Sequence, residues 1–263
     1  TSRILYLEDG DRAVMTSQSV TVYDINNEKV ERPIQKNSIT SGAIEKGGYK
    51  HYMAKEIYEQ PQVIGDTLHS FINPSTGTIT LPNFPFDFAE ITKFTLIACG
   101  SSFYACLLTK YWLESNAQTF VEVDIASEFR YRKAIMPVGG LCIFVSQSGE
   151  TADTLAALRY AKEQKQNILS IVNVPGSTIA RESDAVLNTN AGPEVGVAST
   201  KALTTQMTVL ACLTIAIARK RGTMDASTEA RLVIALTEIP ARAADVLNHD
   251  ERLAKIAKEI SEA

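Results

Sequence analysis

Hydroxyl and amide side chains crowd the stretch Ser146-Gln147-Ser148-Gly149-Glu150-Thr151, and residues of these types suit holding an anion better than making or breaking bonds. The stretch follows the apolar run Leu141-Cys142-Ile143-Phe144-Val145 and precedes helical spacing from Ala152 to Glu163. A short continuous apolar run predicts a strand buried on both faces. The junction then lies at a strand's carboxyl end, where ligands of open α/β sheets collect. The N–H groups and dipole of the helix that follows favour phosphate there. Ser146, Ser148 and Thr151 add hydroxyl donors. No Lys or Arg lies within the stretch, so a phosphate would be held by neutral donors.

A second junction of this kind is Ala98-Cys99-Gly100-Ser101-Ser102, and a third is the loop Gly192-Pro193-Glu194-Val195-Gly196-Val197-Ala198-Ser199-Thr200-Lys201. Each has a plainer reading as a turn in which one Ser or Thr caps a helix, with Ser199 or Thr200 as the cap of the third. Capping needs one hydroxyl, however, and the Ser146 stretch carries three. Neither G-x-x-x-x-G-K-[ST] nor G-x-G-x-x-G is present at the first two junctions, which argues against a nucleotide ligand.

Groups for proton transfer are sparse. Glu150 fits the first turn of a helix through the dipole alone. Lys201 reads as a Schiff-base amine or as a solvated helix residue. His51, His69 and His249 fall outside the loops of the predicted sheet, and Cys99, with no basic neighbour in sequence, reads as a packed thiol.

The elements that must position these junctions alternate. Strands are predicted at Phe94 to Ala98, Phe120 to Val123, Leu141 to Val145, Ile168 to Val172 and Ala185 to Leu187. Helices are predicted at Phe103 to Asn116, Ser127 to Arg132, Ala152 to Glu163 and Thr200 to Arg221. Such alternation predicts a parallel sheet with helices on both faces, an α/β sandwich. Before it, Arg3 to Leu7, Ala13 to Met15 and Val20 to Asp24 read as antiparallel strands and Pro33 to Gly48 as a linker. His51 to Gln60 reads as a helix stopped by Pro61, Gln62 to His69 as a second short helix, and Asn73 to Pro85 as irregular. After it, Ser227 to Ile239 and Ala241 to Ile260 read as helices bent apart at Pro240.

Composition narrows the function classes. A chain of 263 residues with 45% hydrophobic and 21% charged residues reads as soluble and globular. The 26 basic and 30 acidic residues leave a net charge of −4, so no global field recruits nucleic acid or an anionic membrane. Met207 to Ala218 is apolar but too short to cross a bilayer, which predicts a core or interface helix. Cys99, Cys106, Cys142 and Cys212 lack metal-ligand spacing and read as reduced thiols of a cytoplasmic protein. A sequence beginning at Thr1 without Met is expected to be part of something longer.

Four segments together resemble the isomerising glutamine:fructose-6-phosphate aminotransferases, the glucosamine-6-phosphate synthases. They are Cys99-Gly100-Ser101-Ser102, Ala126-Ser127-Glu128-Phe129-Arg130-Tyr131-Arg132, Ser146 to Thr154, and Gly196-Val197-Ala198-Ser199-Thr200-Lys201. His51-Tyr52-Met53 with Lys55 to Pro61 is similar to the segment joining that family's glutaminase and isomerase domains. The resemblance implies a sugar isomerase (SIS) domain over residues 90–222, a flavodoxin-like three-layer sandwich. It further implies a glutaminase tail and linker over 1–48, a helical and irregular linker over 49–89, and a helical connection toward a second SIS domain over 223–263.

It implies fructose 6-phosphate held by Ser101, Ser102, Ser146, Gln147, Ser148 and Thr151, with Val197 and Ser199 lining the sugar; Ser101 stands where many members have Thr. The family's catalytic lysine, glutamate and histidine belong to the second SIS domain, and its glutaminase uses an N-terminal cysteine. The expectation is therefore a binding fragment with no catalytic residue, no metal and no cofactor, drawn from a cytoplasmic homodimer with no nucleic-acid or membrane partner. A non-catalytic SIS-type sugar-phosphate sensor, or an interaction module whose junctions are only helix caps, are the alternatives.

Overall fold

Short β-branched runs broken by turn residues make hairpins at the start of the chain. The computed structural model describes residues 3–36 and 45–262. The chain divides into two units, residues 1–45 and 46–263. In the first, β1 (Arg3–Leu5) pairs antiparallel with β5 (Ile34–Lys36), and β2 (Arg12–Met15), β3 (Val20–Tyr23) and β4 (Lys29–Val30) form an antiparallel sheet. The expected strands are present, with β4 and β5 in addition. Of the expected linker, residues 37–44 lie outside the described residues.

The second unit opens with α1 (Tyr52–His69), which runs through Pro61 instead of stopping before it. Proline leaves the carbonyl four residues back without its N–H partner. Here the Gln60 side-chain amide donates to that carbonyl, Ile57 O, at 3.1 Å. Beyond Pro61, Val63, Ile64, Thr67 and Leu68 are buried, so packing rewards continuation. A small hairpin, β6 (Ile72–Asn73) with β7 (Thr78–Ile79), interrupts the stretch expected to be irregular.

Then come β8 (Phe94–Ala98), α2 (Gly100–Ala117), β9 (Val121–Ile125), α3 (Ala126–Phe129), β10 (Leu141–Ser146), α4 (Ala152–Glu163), β11 (Asn167–Val172), α5 (Thr178–Glu182), β12 (Ala185–Asn188) and α6 (Lys201–Lys220). The five strands pair in parallel in the order β12-β11-β10-β8-β9. That is the flavodoxin-like order, in which the first strand lies beside the third. Alternate residues of the central strands feed two cores. Leu96, Ala98, Ile143, Val145, Leu169 and Ile171 pack with α1, α2 and α6. Ile97, Cys142, Phe144, Ile168 and Val172 pack with α3, α4 and α5. The apolar run expected from Met207 to Ala218 is part of α6, which is long and apolar enough by length and composition to cross a membrane; 78% of its apolar window is buried in this unit, as in a core helix.

Two helices, α7 (Ala226–Leu247) and α8 (Asp250–Ser261), close the described chain. The break falls at Asn248 and His249 and not at Pro240, which lies inside α7. Leu232, Leu236 and Ala243, on both sides of Pro240, pack on the same core, and this holds the helix in one piece.

Because Phe144 is fully buried on the central strand, Phe144→Ala is expected to cost about 3–5 kcal/mol. Urea unfolding measures this; a loss under about 1 kcal/mol would contradict the packing described.

Candidate functional site

Strand order decides where the junctions meet. β8 and β10 are neighbours, with Ala98 opposite Val145. Residues of α2 pack on one face of the sheet and residues of α4 on the other. The chain therefore leaves the two adjacent strands in opposite directions, and Cys99 to Ser102 and Ser146 to Thr151 flank the crevice between them. Thr154 in α4 contacts Cys99 Sγ at 4.0 Å across this crevice.

The Ser146 turn is held from within. Ser146 is buried and its Oγ accepts the Gly149 N–H at 3.0 Å, while the Ser146 and Thr151 hydroxyls share a hydrogen bond of 3.1 Å. Ser148 Oγ accepts the Glu150 N–H at 3.2 Å. Gly149 has φ of +65°, and a Cβ there would lie 1.9 Å from Ser177 Oγ. Its carbonyl accepts the Ile179 N–H at 3.0 Å, and Glu150 Oε1 accepts the Thr178 N–H at 2.7 Å. Glu150 thus holds the start of α5. Gln147, Ser148 and Thr151 are half-buried at the crevice.

At the other junction α2 begins at Gly100, three residues earlier than the apolar pattern predicts. Ser101 and Ser102 are consequently half-buried in the first helical turn and not in a loop before it. Neither helix is capped by a side chain: the N-cap residues, Cys99 of α2 and Thr151 of α4, make no side-chain capping hydrogen bond. First-turn N–H groups have no acceptor within a helix. The plainer reading, in which the hydroxyls serve only as caps, therefore fails at both helix starts.

The third loop is tied to the first by Asn173, at the end of β11. Its N–H donates to Gln147 O at 3.2 Å, and its side-chain amide donates to Gly192 O at 2.7 Å. Its Oδ1 accepts from Ala191 N at 2.9 Å and Thr189 Oγ1 at 3.0 Å. Thr200 is the N-cap of α6 but its side chain does not cap. Glu194 does so, its Oε1 accepting from Thr200 N at 3.0 Å and Ala202 N at 3.1 Å. Ser199 is half-buried and Val197 fully exposed on the loop. Lys201 is not solvated: it is buried, with Nζ 2.7 Å from Glu59 Oε2.

Charge near the crevice is balanced locally. Arg130 reaches the first turn of α4 but pairs with Asp153 at 2.7 Å. Burial pushes the Cys106 thiol well up and holds those of Cys142 and Cys212 at about 12, so none of these three is a nucleophile at neutral pH. Among the described residues no group of three or more His, Cys, Asp or Glu side chains could hold a metal ion. A separate apolar cavity of about 640 Å³ lies among α1, α2, α6 and α7, and no residue of the three junctions lines it.

The sequence reading missed Asn173, Glu194 and Ser177. Asn173 carries a legible signal, a polar side chain straight after the apolar run Ile168 to Val172 and before Pro175-Gly176.

Comparison with known proteins bears on the fold that carries these junctions. The SIS domain family matches residues 88–216. Over 261 residues, 99% of this chain, the sequence is 49% identical to the glutamine–fructose-6-phosphate aminotransferase [isomerizing] of Brucella abortus biovar 1. It is likewise 49% identical over 264 residues to the enzyme of the same description from Bradyrhizobium diazoefficiens. The chain spans 43% of the length of each of these relatives. A solved structure, the C-terminal domain of glucosamine-fructose-6-phosphate aminotransferase from Francisella tularensis, superposes with a TM-score of 0.76 at 42% identity; the match covers 81% of this chain and 60% of that one.

Gly149→Ala combines a left-handed backbone with a clash against Ser177, and is expected to cost about 1–3 kcal/mol. Adding Ser177→Gly should recover part of that loss by removing the clash while the backbone strain stays. Thermal unfolding of the two variants checks this; no recovery would mean that the Ser177 contact does not shape the turn.

Proposed function

We propose that this chain, whose residues 88–216 match the SIS domain family, is the sugar-phosphate-binding part of a glucosamine-6-phosphate synthase. The observation that carries this reading is the pair of helix starts at the β8/β10 crevice, both lacking side-chain caps and both bordered by hydroxyls. A phosphate dianion suits such a place, because the partial positive charge of both helix ends and their first-turn N–H groups converge on it.

In this reading Ser101, Ser102, Gln147, Ser148 and Thr151 surround the phosphate of fructose 6-phosphate, and Ser146 acts from beneath by holding the turn. Val197 and Ser199 line the sugar. Residues 1–48 are a glutaminase tail and linker, 49–89 a linker, 90–222 the first SIS domain and 223–263 the connection toward a second. The whole enzyme would add ammonia from glutamine to the carbonyl of fructose 6-phosphate and isomerise the product to glucosamine 6-phosphate. The residues of this chain bind and orient, with no cofactor. The reading includes a homodimer in the cytoplasm, and the net charge of −4 speaks against nucleic-acid and membrane partners.

Titration calorimetry with fructose 6-phosphate tests the site. Ser148→Ala and Thr151→Ala are each expected to weaken binding by about 0.5–1.5 kcal/mol; unchanged affinity in both would refute the assignment. Supplied with fructose 6-phosphate and ammonia, the 263-residue chain should form no glucosamine 6-phosphate. Its appearance would overturn the placement of the chemistry outside these residues.

A further inference from the structure

The loop bearing Val197 and Ser199 packs little of its own side-chain surface: Val195, Val197 and Ala198 are all exposed. Besides Asn173 and Glu194, α1 holds it at several points. Near one end of the loop the Thr67 hydroxyl meets Thr189 O, and the Asn190 side-chain amide donates to Ser70 Oγ at 2.8 Å. At the other end the buried Lys201 ammonium pairs with Glu59. Between them lies Glu56, a carboxylate only 2% exposed. Its Oε1 accepts the Val195 N–H at 2.6 Å and the Gly196 N–H at 3.0 Å, and its Oε2 lies 3.2 Å from the same Gly196 nitrogen.

Burying a carboxylate is costly unless hydrogen bonds replace its water, and charge-assisted bonds to backbone N–H groups are among the stronger ones available. Here two consecutive N–H groups of one loop converge on one side chain, which fixes the orientation of the peptide leading into Val197. Gly196 is shaped to the contact: a Cβ at that position would lie 2.5 Å from Glu56 Oε2. The fit is thus specified from both sides, by a buried acid on α1 and by the one residue type that lets it approach.

We propose that Glu56 is a positioning residue for sugar recognition: it sets the Val195–Gly196 backbone so that Val197 and Ser199 face the sugar, while the phosphate is gripped without it. This rests on the reading of the crevice as a sugar-phosphate site. It predicts a separation that a general structural role does not, because inorganic phosphate needs only the β8 and β10 junctions, whereas fructose 6-phosphate also needs the loop.

The experiment is calorimetry of the full chain with fructose 6-phosphate and, separately, with inorganic phosphate, for the parent protein, Glu56→Gln and Gly196→Ala. Glu56→Gln keeps the shape of the side chain, and Gly196→Ala displaces the carboxylate from the loop side without touching the α1 core. Both variants are expected to bind fructose 6-phosphate about tenfold more weakly, the scale of one charge-assisted hydrogen bond. Inorganic phosphate affinity should stay within about twofold of the parent. Amide exchange at positions 195 and 196 should accelerate in Glu56→Gln. If both variants bind fructose 6-phosphate like the parent, or lose both ligands equally, the positioning role is overturned while the site stands. If the parent binds neither ligand, the site reading itself fails, and the role of Glu56 fails with it.

Discussion

Adjacent parallel strands whose following helices leave toward opposite faces cannot close the gap between the two helix starts, and β8 with β10 is that pair in this protein. The gap is a consequence of strand order. Once the first strand lies beside the third, α2 and α4 must diverge, and two sets of first-turn N–H groups border one crevice. The buried strands and the two cores serve to hold that divergence in place. In the proposed reading the hydroxyls of Ser101, Ser102, Ser148 and Thr151 serve one ligand because the strand order sets their two junctions side by side.

A crevice built this way favours an anion without burying a cation. Arg130 is paired to Asp153 and Lys201 to Glu59, so neither charge is directed at the crevice. In the proposed reading neutral donors and helix ends hold the anion, so the shape of the turn sets where those donors point. The internal bonds of Ser146, the left-handed Gly149 and its contact with Ser177 serve that purpose. The third loop is held by different means, through Asn173 at its base, Glu56 in its middle and Glu194 at its entry into α6. Three polar side chains here do the work that apolar packing does elsewhere.

Much of this was legible from residue pattern. Continuous apolar runs identified β8, β10 and β11 because those strands are buried on both faces, and helical spacing placed α4 from Ala152 to Glu163. The places where pattern failed have local causes. Pro61 and Pro240 sit inside helices because packing on both sides, and for Pro61 a glutamine that satisfies the stranded carbonyl, outweigh the usual break. α2 starts ahead of its apolar pattern because its first turn faces the crevice and not a core. Glu56 was invisible as a loop clamp, since its partners are 139 and 140 residues away and a lone glutamate in a helix carries no sign of burial. Of the two readings of Lys201, Schiff-base amine or solvated helix residue, the solvated one fails for the same reason, its partner Glu59 being 142 residues distant.

The most direct test of the central claim is to follow backbone amide resonances of the chain while titrating fructose 6-phosphate. If two diverging helix starts form one anion site, the amides of Ser101 and Ser102 and those from Ser148 to Thr151 shift together, with a single affinity. Shifts confined to one junction, or centred on the apolar cavity among α1, α2, α6 and α7, would contradict it.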